Sequence, residues 1–190
     1  IRSLHQIMTG LKLHLLALAV LSVLLSQTQL LHSSVEIGSI SEVRGNAQVL
    51  RDKPYGAELA FNIQQMDDVR TETGRVAITF ADSSTVKLTE HSKLVIDEYI
   101  YDPDPSKSKM ALKFASGTAR FITGKFNNKS NISIRTPTAD IAIRGTDFTC
   151  TVDELGRSLV ILLPDENGIS SGEIIVSTGM GSVTLNKPYQ

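Results

Sequence analysis

The residues best placed to do chemistry are Arg144-Gly145-Thr146-Asp147, where a cation and an anion bracket a glycine at a tight corner. One reading is a partner-binding corner formed by Arg144, Gly145, Thr146 and Asp147. The other is structural, with Asp147 accepting from turn amides and Arg144 pairing with a carboxylate, and it is favoured because such corners hold strands in register. Arg120 and Arg135 read the same way. The acidic group Asp97, Glu98, Asp102 and Asp104 suggests a hard-cation site, but such ions want six to eight oxygens and an EF-type loop needs glycine and glutamate at fixed offsets. Those offsets are not met, and a solvated acidic loop is expected. Asp67-Asp68 with Glu72 reads as a polar turn.

Catalytic signatures fail. Beyond residue 34 the only histidine is His91, and H-E-x-x-H, G-x-S-x-G and Walker patterns are absent. A non-catalytic protein without metal or cofactor is expected. The single cysteine, Cys150, has no partner for an internal disulfide. It falls at an inward position beside Phe148 and Val152 and reads as a small buried hydrophobe, not a reactive thiol.

These residues are positioned by strands. From Ile132 to Val152 the chain alternates polar and apolar residues, the period of a strand with one face buried. Pro137 and Gly145 cut that run into three short strands joined by corners. Earlier, strands are expected at 39–44, 47–50, 57–63, 69–71, 75–80, 85–88 and 93–100, with Leu94, Ile96 and Glu98 on one face. A loop is expected at Arg51–Gly56 and another across Asp102–Lys109. Met110–Ala115 and Thr118–Thr123 read as two strands parted by Ser116-Gly117. Leu159–Leu163 is wholly apolar and should be buried on both faces. Ile174–Ser177 and Ser182–Leu185 close the chain. Short strands every 8–12 residues indicate an all-β domain, either β-solenoid-like or sandwich-like. Small residues at the corners tilt the choice toward solenoid-like coils, and a sandwich stays open.

Residues 1–34 carry Lys12 and His14 ahead of a leucine-rich run, Leu15–Leu25, 13 residues when counted from Leu13. That run falls short of the ~20 residues of a membrane span and suits a signal peptide, with an uncleaved N-terminal anchor as the alternative. Export to the periplasm or beyond is therefore expected, and the single all-β domain is placed at 35–190. The segment holds two of the 19 Lys+Arg, Arg2 and Lys12, and none of the 20 Asp+Glu, so the remainder is mildly acidic. A nucleic-acid partner is not expected. The triplets at Asn128 and Asn131 fit a glycosylation pattern that is common by chance.

In their order along the chain, several stretches resemble the FecR-like domain family of bacterial extracytoplasmic proteins. They are Ile143-Arg144-Gly145-Thr146-Asp147-Phe148, Ser116-Gly117-Thr118-Ala119-Arg120-Phe121, Thr136-Pro137-Thr138-Ala139, and the run Asp67–Val76 continued by Asp82–Leu88. Asp67 and Ser83 stand where that family has glycines. The likeness spans about residues 38–186. It implies an extracytoplasmic binding or sensor module recognising a protein or cell-envelope component in signalling or transport regulation. Transmembrane control of a sigma factor is not carried over, because the chain opens on an apparent signal peptide. The alternative is a structural β-scaffold of a surface layer or appendage that contacts glycan.

Overall fold

The computed structural model describes residues 37–124, 131–165, 167–169 and 172–190. The signal peptide or membrane anchor expected at 1–34 and the triplet at Asn128 lie outside them. The described part is built of strands: β1 Gly38–Arg44, β2 Ala47–Leu50, β3 Pro54–Gly56, β4 Asn62–Ile63, β5 Asp68–Thr71, β6 Arg75–Phe80, β7 Thr85–Leu88 and β8 Lys93–Ile100. After a single 3-10 turn at Pro105–Lys107 come β9 Lys109–Ile122, β10 Asn131–Arg135, β11 Asp140–Arg144, β12 Asp147–Val152, β13 Ser158–Leu162, β14 Glu173–Thr178 and β15 Gly181–Leu185. Valine, isoleucine and threonine fill them, residues whose branched side chains suit a pleated surface.

All fifteen strands join one continuous, unclosed sheet that folds over into two leaves. The first leaf runs β4-β1-β6-β7-β9-β12-β13 and the second β3-β2-β5-β8-β9-β10-β11-β14-β15. Only β9 belongs to both: Lys109–Ser116 pairs with β8 and Gly117–Ile122 with β7 and β12. Its neighbours make the same passage through short corners, β1 into β2, β5 into β6 and β7 into β8. The fold is thus a meander of four long bent strands, creased along one line.

Hydrogen bonds run along that crease. The amide of Glu72 donates to the Asn46 carbonyl at 3.0 Å, and that of His91 to the Glu72 carbonyl at 2.9 Å. The Thr89 amide donates to the Thr118 carbonyl at 3.0 Å, and the Thr71 hydroxyl accepts from the Ser92 amide at 2.8 Å. Gly117 has φ +95°, and a Cβ there would lie 2.2 Å from the Ser92 Oγ. No side chain fits at this point of the bend.

Between the leaves lies one apolar core, including Ile40, Val69, Ile78, Leu88, Leu94, Ile96, Phe114, Ile134, Ile141, Phe148 and Leu162. Rings bridge the leaves, with Phe80 stacked on Tyr99 at 5.3 Å and Phe121 edge-on to Phe114 at 6.0 Å; within the first leaf Phe121 stacks on its ladder partner Phe148 at 5.0 Å. Each fully buried side chain of this size contributes about 1.5–3 kcal/mol. Cys150 is buried as expected, and burial pushes its thiol up to about 12.

The pairing resolves the arrangement left open by the sequence. Every strand pair is antiparallel except β9 with β10, whereas solenoid coils stack their strands in parallel. The two-leaf, sandwich-like form is the one observed. Local expectations shift in five places. Ser116-Gly117 bends a single 14-residue strand and does not separate two. The loop at 51–56 contains β3, and the strand expected at 57–63 shrinks to Asn62–Ile63. In β8 a register shift between Ile96 and Glu98 turns Tyr99, not Glu98, inward beside Leu94 and Ile96. Finally, among the described strands β13 pairs only with β12; Leu159 is 58% exposed, and within β13 only Leu162 is fully buried.

Two outcomes are expected. Gly117→Ala combines a left-handed backbone penalty with overpacking against Ser92, and should cost about 2–4 kcal/mol in urea unfolding. Cys150 should resist iodoacetamide at pH 8 until denaturant is added. Its folded-state pKa is raised, so the related stability is complete below the ordinary thiol range and declines as pH rises toward about 12.

Candidate functional site

The corner Arg144–Asp147 carries the chain from β11 in the second leaf to β12 in the first, at the end remote from the crease. Asp147 pairs with Ile122, the last residue of β9, which also pairs with Thr85 at the start of β7. Gly145 has φ +53°, the conformation for which the sequence places a glycine there. Thr146 is buried, and its carbonyl accepts from the Thr123 amide at 3.2 Å and the Thr123 hydroxyl at 3.0 Å.

The two charges of the corner do not meet. Asp147 takes a two-pronged bond from Arg120 across the β9–β12 ladder, with Nε at 2.9 Å, and this carboxylate holds the Arg120 guanidinium above its usual range. Arg144 lies against Glu173, its ladder partner on β14, at 3.4 Å and is mostly exposed. Arg144 thus pairs with a carboxylate as the structural reading expects, while Asp147 is held by a guanidinium instead of turn amides. Arg135 likewise pairs with Asp140 across β10–β11 at 2.9 Å. Of the four corner residues, Arg144 alone presents a mostly exposed side chain.

Beside the corner lies a polar node that sequence reasoning passed over. Asp82 is fully buried in the β6–β7 turn. Its Oδ1 accepts from the Ser84 amide at 3.2 Å and the Tyr99 hydroxyl at 2.9 Å, and its Oδ2 accepts from the Ser84 hydroxyl. The Tyr99 hydroxyl in turn accepts from the Asp82 amide at 3.0 Å, and burial together with this carboxyl raises the tyrosine's pKa. Ser84 Oγ accepts from the Gly124 amide at 2.9 Å. One leaf is thereby tied to the other, since Tyr99 belongs to β8. Ser83 occupies the left-handed region at φ +69°, which explains why a glycine suits that position.

A second buried carboxylate, Asp67, receives Arg51 on both oxygens at 2.7 and 2.8 Å and the Gln64 amide at 2.9 Å. The Arg51 guanidinium lies 5.5 Å over the Phe61 ring and 5.8 Å over that of Tyr55, and its bond to Asp67 raises its pKa. This clip closes the loop between β2 and β5. Its signal in the sequence was faint: an arginine and an acid 16 residues apart.

The Asp82 node and the corner fall within residues 67–165, and over that range the family described as FecR protein matches the chain. The chain belongs to the FecR family. Two crystal structures of a Parabacteroides distasonis protein, provisionally described as an anti-sigma factor and solved at 1.65 Å and 2.50 Å, are similar to it. Each shows 14% identity and a TM-score of 0.49, covering 63% of this chain and 51% of that one. The chain therefore spans about half the length of those solved structures. No curated protein matches it.

Within this FecR domain the remaining candidates are brought to separate partners. Asp97 pairs with Lys113 at 2.8 Å and Glu98 with Lys109 at 2.6 Å. Asp102 and Asp104 accept from the amides of Asp104 and Ser106 at 2.8 and 3.1 Å, shaping the turn before β9. Asp68 pairs with Arg70, apart from Asp67. Among the described residues no group of three or more His, Cys, Asp or Glu side chains is placed to hold a metal ion.

A pair of substitutions separates the two kinds of charge. Asp82→Ala strands the buried Tyr99 and Ser84 hydroxyls and should cost about 2–4 kcal/mol. Arg144→Ala removes an exposed pair and should cost no more than about 0.5 kcal/mol. Thermal unfolding of both variants checks the contrast.

Proposed function

We propose that this FecR-family protein is a non-catalytic extracytoplasmic binding and sensing module that recognises a protein of the cell envelope. The observation that carries the reading is the family match across residues 67–165, which takes in the bend of β9 at Gly117 and the corner. The geometry agrees with it. The charged motifs are spent on cross-strand pairs and buried ties, which leaves recognition to exposed strand edges and to the outward Arg144. Such a module needs a stiff frame, and the two polar nodes supply it at the end remote from the crease.

Affinity capture from envelope extract, with the wild-type chain and its Arg144→Ala and Asp147→Ala variants, tests the proposal. One envelope protein should be retained by the wild type and at least about tenfold less by Arg144→Ala, whose fold is intact. Asp147→Ala also frees Arg120, so its effect on capture is read only beside its unfolding curve. Equal retention by Arg144→Ala removes the corner from the site. Capture of no envelope protein would sink the binding reading and favour the structural scaffold.

A further inference from the structure

We infer that the loop closed by Arg51 and Asp67 is a recognition loop that presents Met66 to an apolar pocket of the partner protein. The inference rests on the binding reading above and adds a contact other than Arg144, at the entry to β5. It starts from a strained backbone. The Asp67 amide donates to the Gln64 carbonyl at 3.2 Å, and Met66, the third residue of that turn, has φ +71°. Gln65 is not left-handed, so this is a type II turn, whose third position suits glycine or asparagine. Methionine is strained there, because its Cβ crowds the following carbonyl.

The surroundings hold that turn in place. Asp67, fully buried, accepts from the Gln64 amide at 2.9 Å as well as from Arg51, and the Met66 amide donates to the Ile96 carbonyl at 2.6 Å. The Ile96 amide returns a bond to the Asp67 carbonyl at 3.0 Å. Arg51 also donates to the Asn62 carbonyl at 3.0 Å and lies over Phe61, so one guanidinium organises the whole loop. Strained backbone persists where its neighbours over-determine it, and such positions gather at ligand contacts. The fold returns little for the strain, since the Met66 side chain is 60% exposed. The same loop leaves Leu59 68% exposed beside Ala60, itself left-handed at φ +62°. Of the other described non-glycine residues with positive φ, Ser83 and His91 carry polar side chains that suit water, and Tyr189 bonds to Leu162 at the edge of β13. Met66 alone among them joins the strain to a neighbouring buried carboxylate and an exposed apolar side chain.

An apolar pocket on another protein is the occupant that the chemistry favours. A thioether is flexible and polarizable and fills irregular apolar gaps. Around Met66 the side chains are Gln64, Gln65, Asp67 and Asp68, and the nearby Arg51 and Arg70 are taken up by those two acids. The turn therefore offers an anionic bilayer no free cation. A second copy does not supply the pocket between its leaves. The apolar cavity there, lined by Met110, Leu112, Phe121 and Ile132 among others, is about 20 Å³, room for a single water. All the bonds that fix the turn fall within residues 37–124, one unbroken described stretch.

The test uses the full chain and the envelope protein it captures, purified after identification by mass spectrometry. Met66→Gly should raise the midpoint of thermal unfolding by about 2–4 °C, because glycine accepts the left-handed turn. The same variant should weaken binding of that protein at least about tenfold. Met66→Leu keeps both the strain and an apolar side chain, and should hold binding within about threefold. Dilute hydrogen peroxide gives a second readout. In the free chain it should oxidise Met66 and the fully exposed Met180 while sparing the buried Met110. The bound protein should slow oxidation of Met66 at least about tenfold relative to Met180. Equal binding by Met66→Gly, or no rise in its midpoint, overturns the inference and leaves the binding reading standing. So does protection of Met66 in a purified chain that light scattering shows to be a dimer, or by vesicles of phosphatidylglycerol, because the occupant would then be a second copy or a membrane. Capture of no envelope protein sinks the binding reading and this contact with it.

Discussion

The structure depends on one backbone constraint, the continuity of β9 through Gly117. Because the strand does not stop there, both leaves share it, and neither can slip without dragging the other out of register. The bonds among the corners at 46, 72, 89–92 and 116–118 extend that constraint sideways. Each bent strand is held by the bend of its neighbour. A sheet has strong register only where one face is buried, and the crease gives both leaves a common buried face.

At the opposite end the leaves are held by polar groups and aromatic rings together. Asp82, Tyr99, Ser84 and Gly124 form one chain of bonds, and Thr123 carries it on to Thr146 in the corner. Such a node is costly unless all its members are satisfied, and then it specifies one arrangement. On the outer faces the charges pair across ladders, Arg120 with Asp147, Arg135 with Asp140 and Arg144 with Glu173. A motif that looks chemical in one dimension is therefore mostly cross-strand pairing in three. In a FecR domain built this way, pairing leaves over outward side chains such as Arg144.

The sequence by itself determined the strands, because alternation and turn residues are local properties. The boundaries at Ala47–Leu50, Arg75–Phe80 and Lys93–Ile100 follow from it, as does the inward place of Cys150 between Phe148 and Val152. It also marked the corner at Gly145 and, through the order of motifs, the family. What it could not determine was which strand pairs with which, because pairing joins residues far apart along the chain. Gly117 reads as a break in sequence and is a bend only because β7, β8, β10 and β12 hold both sides. Leu159–Leu163 reads as core and lies at an edge because, among the described strands, β13 is paired on one side alone. Asp82 and Asp67 are ordinary turn acids until Tyr99 and Arg51 arrive from other strands and loops. Tertiary structure decided these points for one physical reason: a side chain's burial and partner depend on its neighbours across the sheet, which the period of a single strand does not encode.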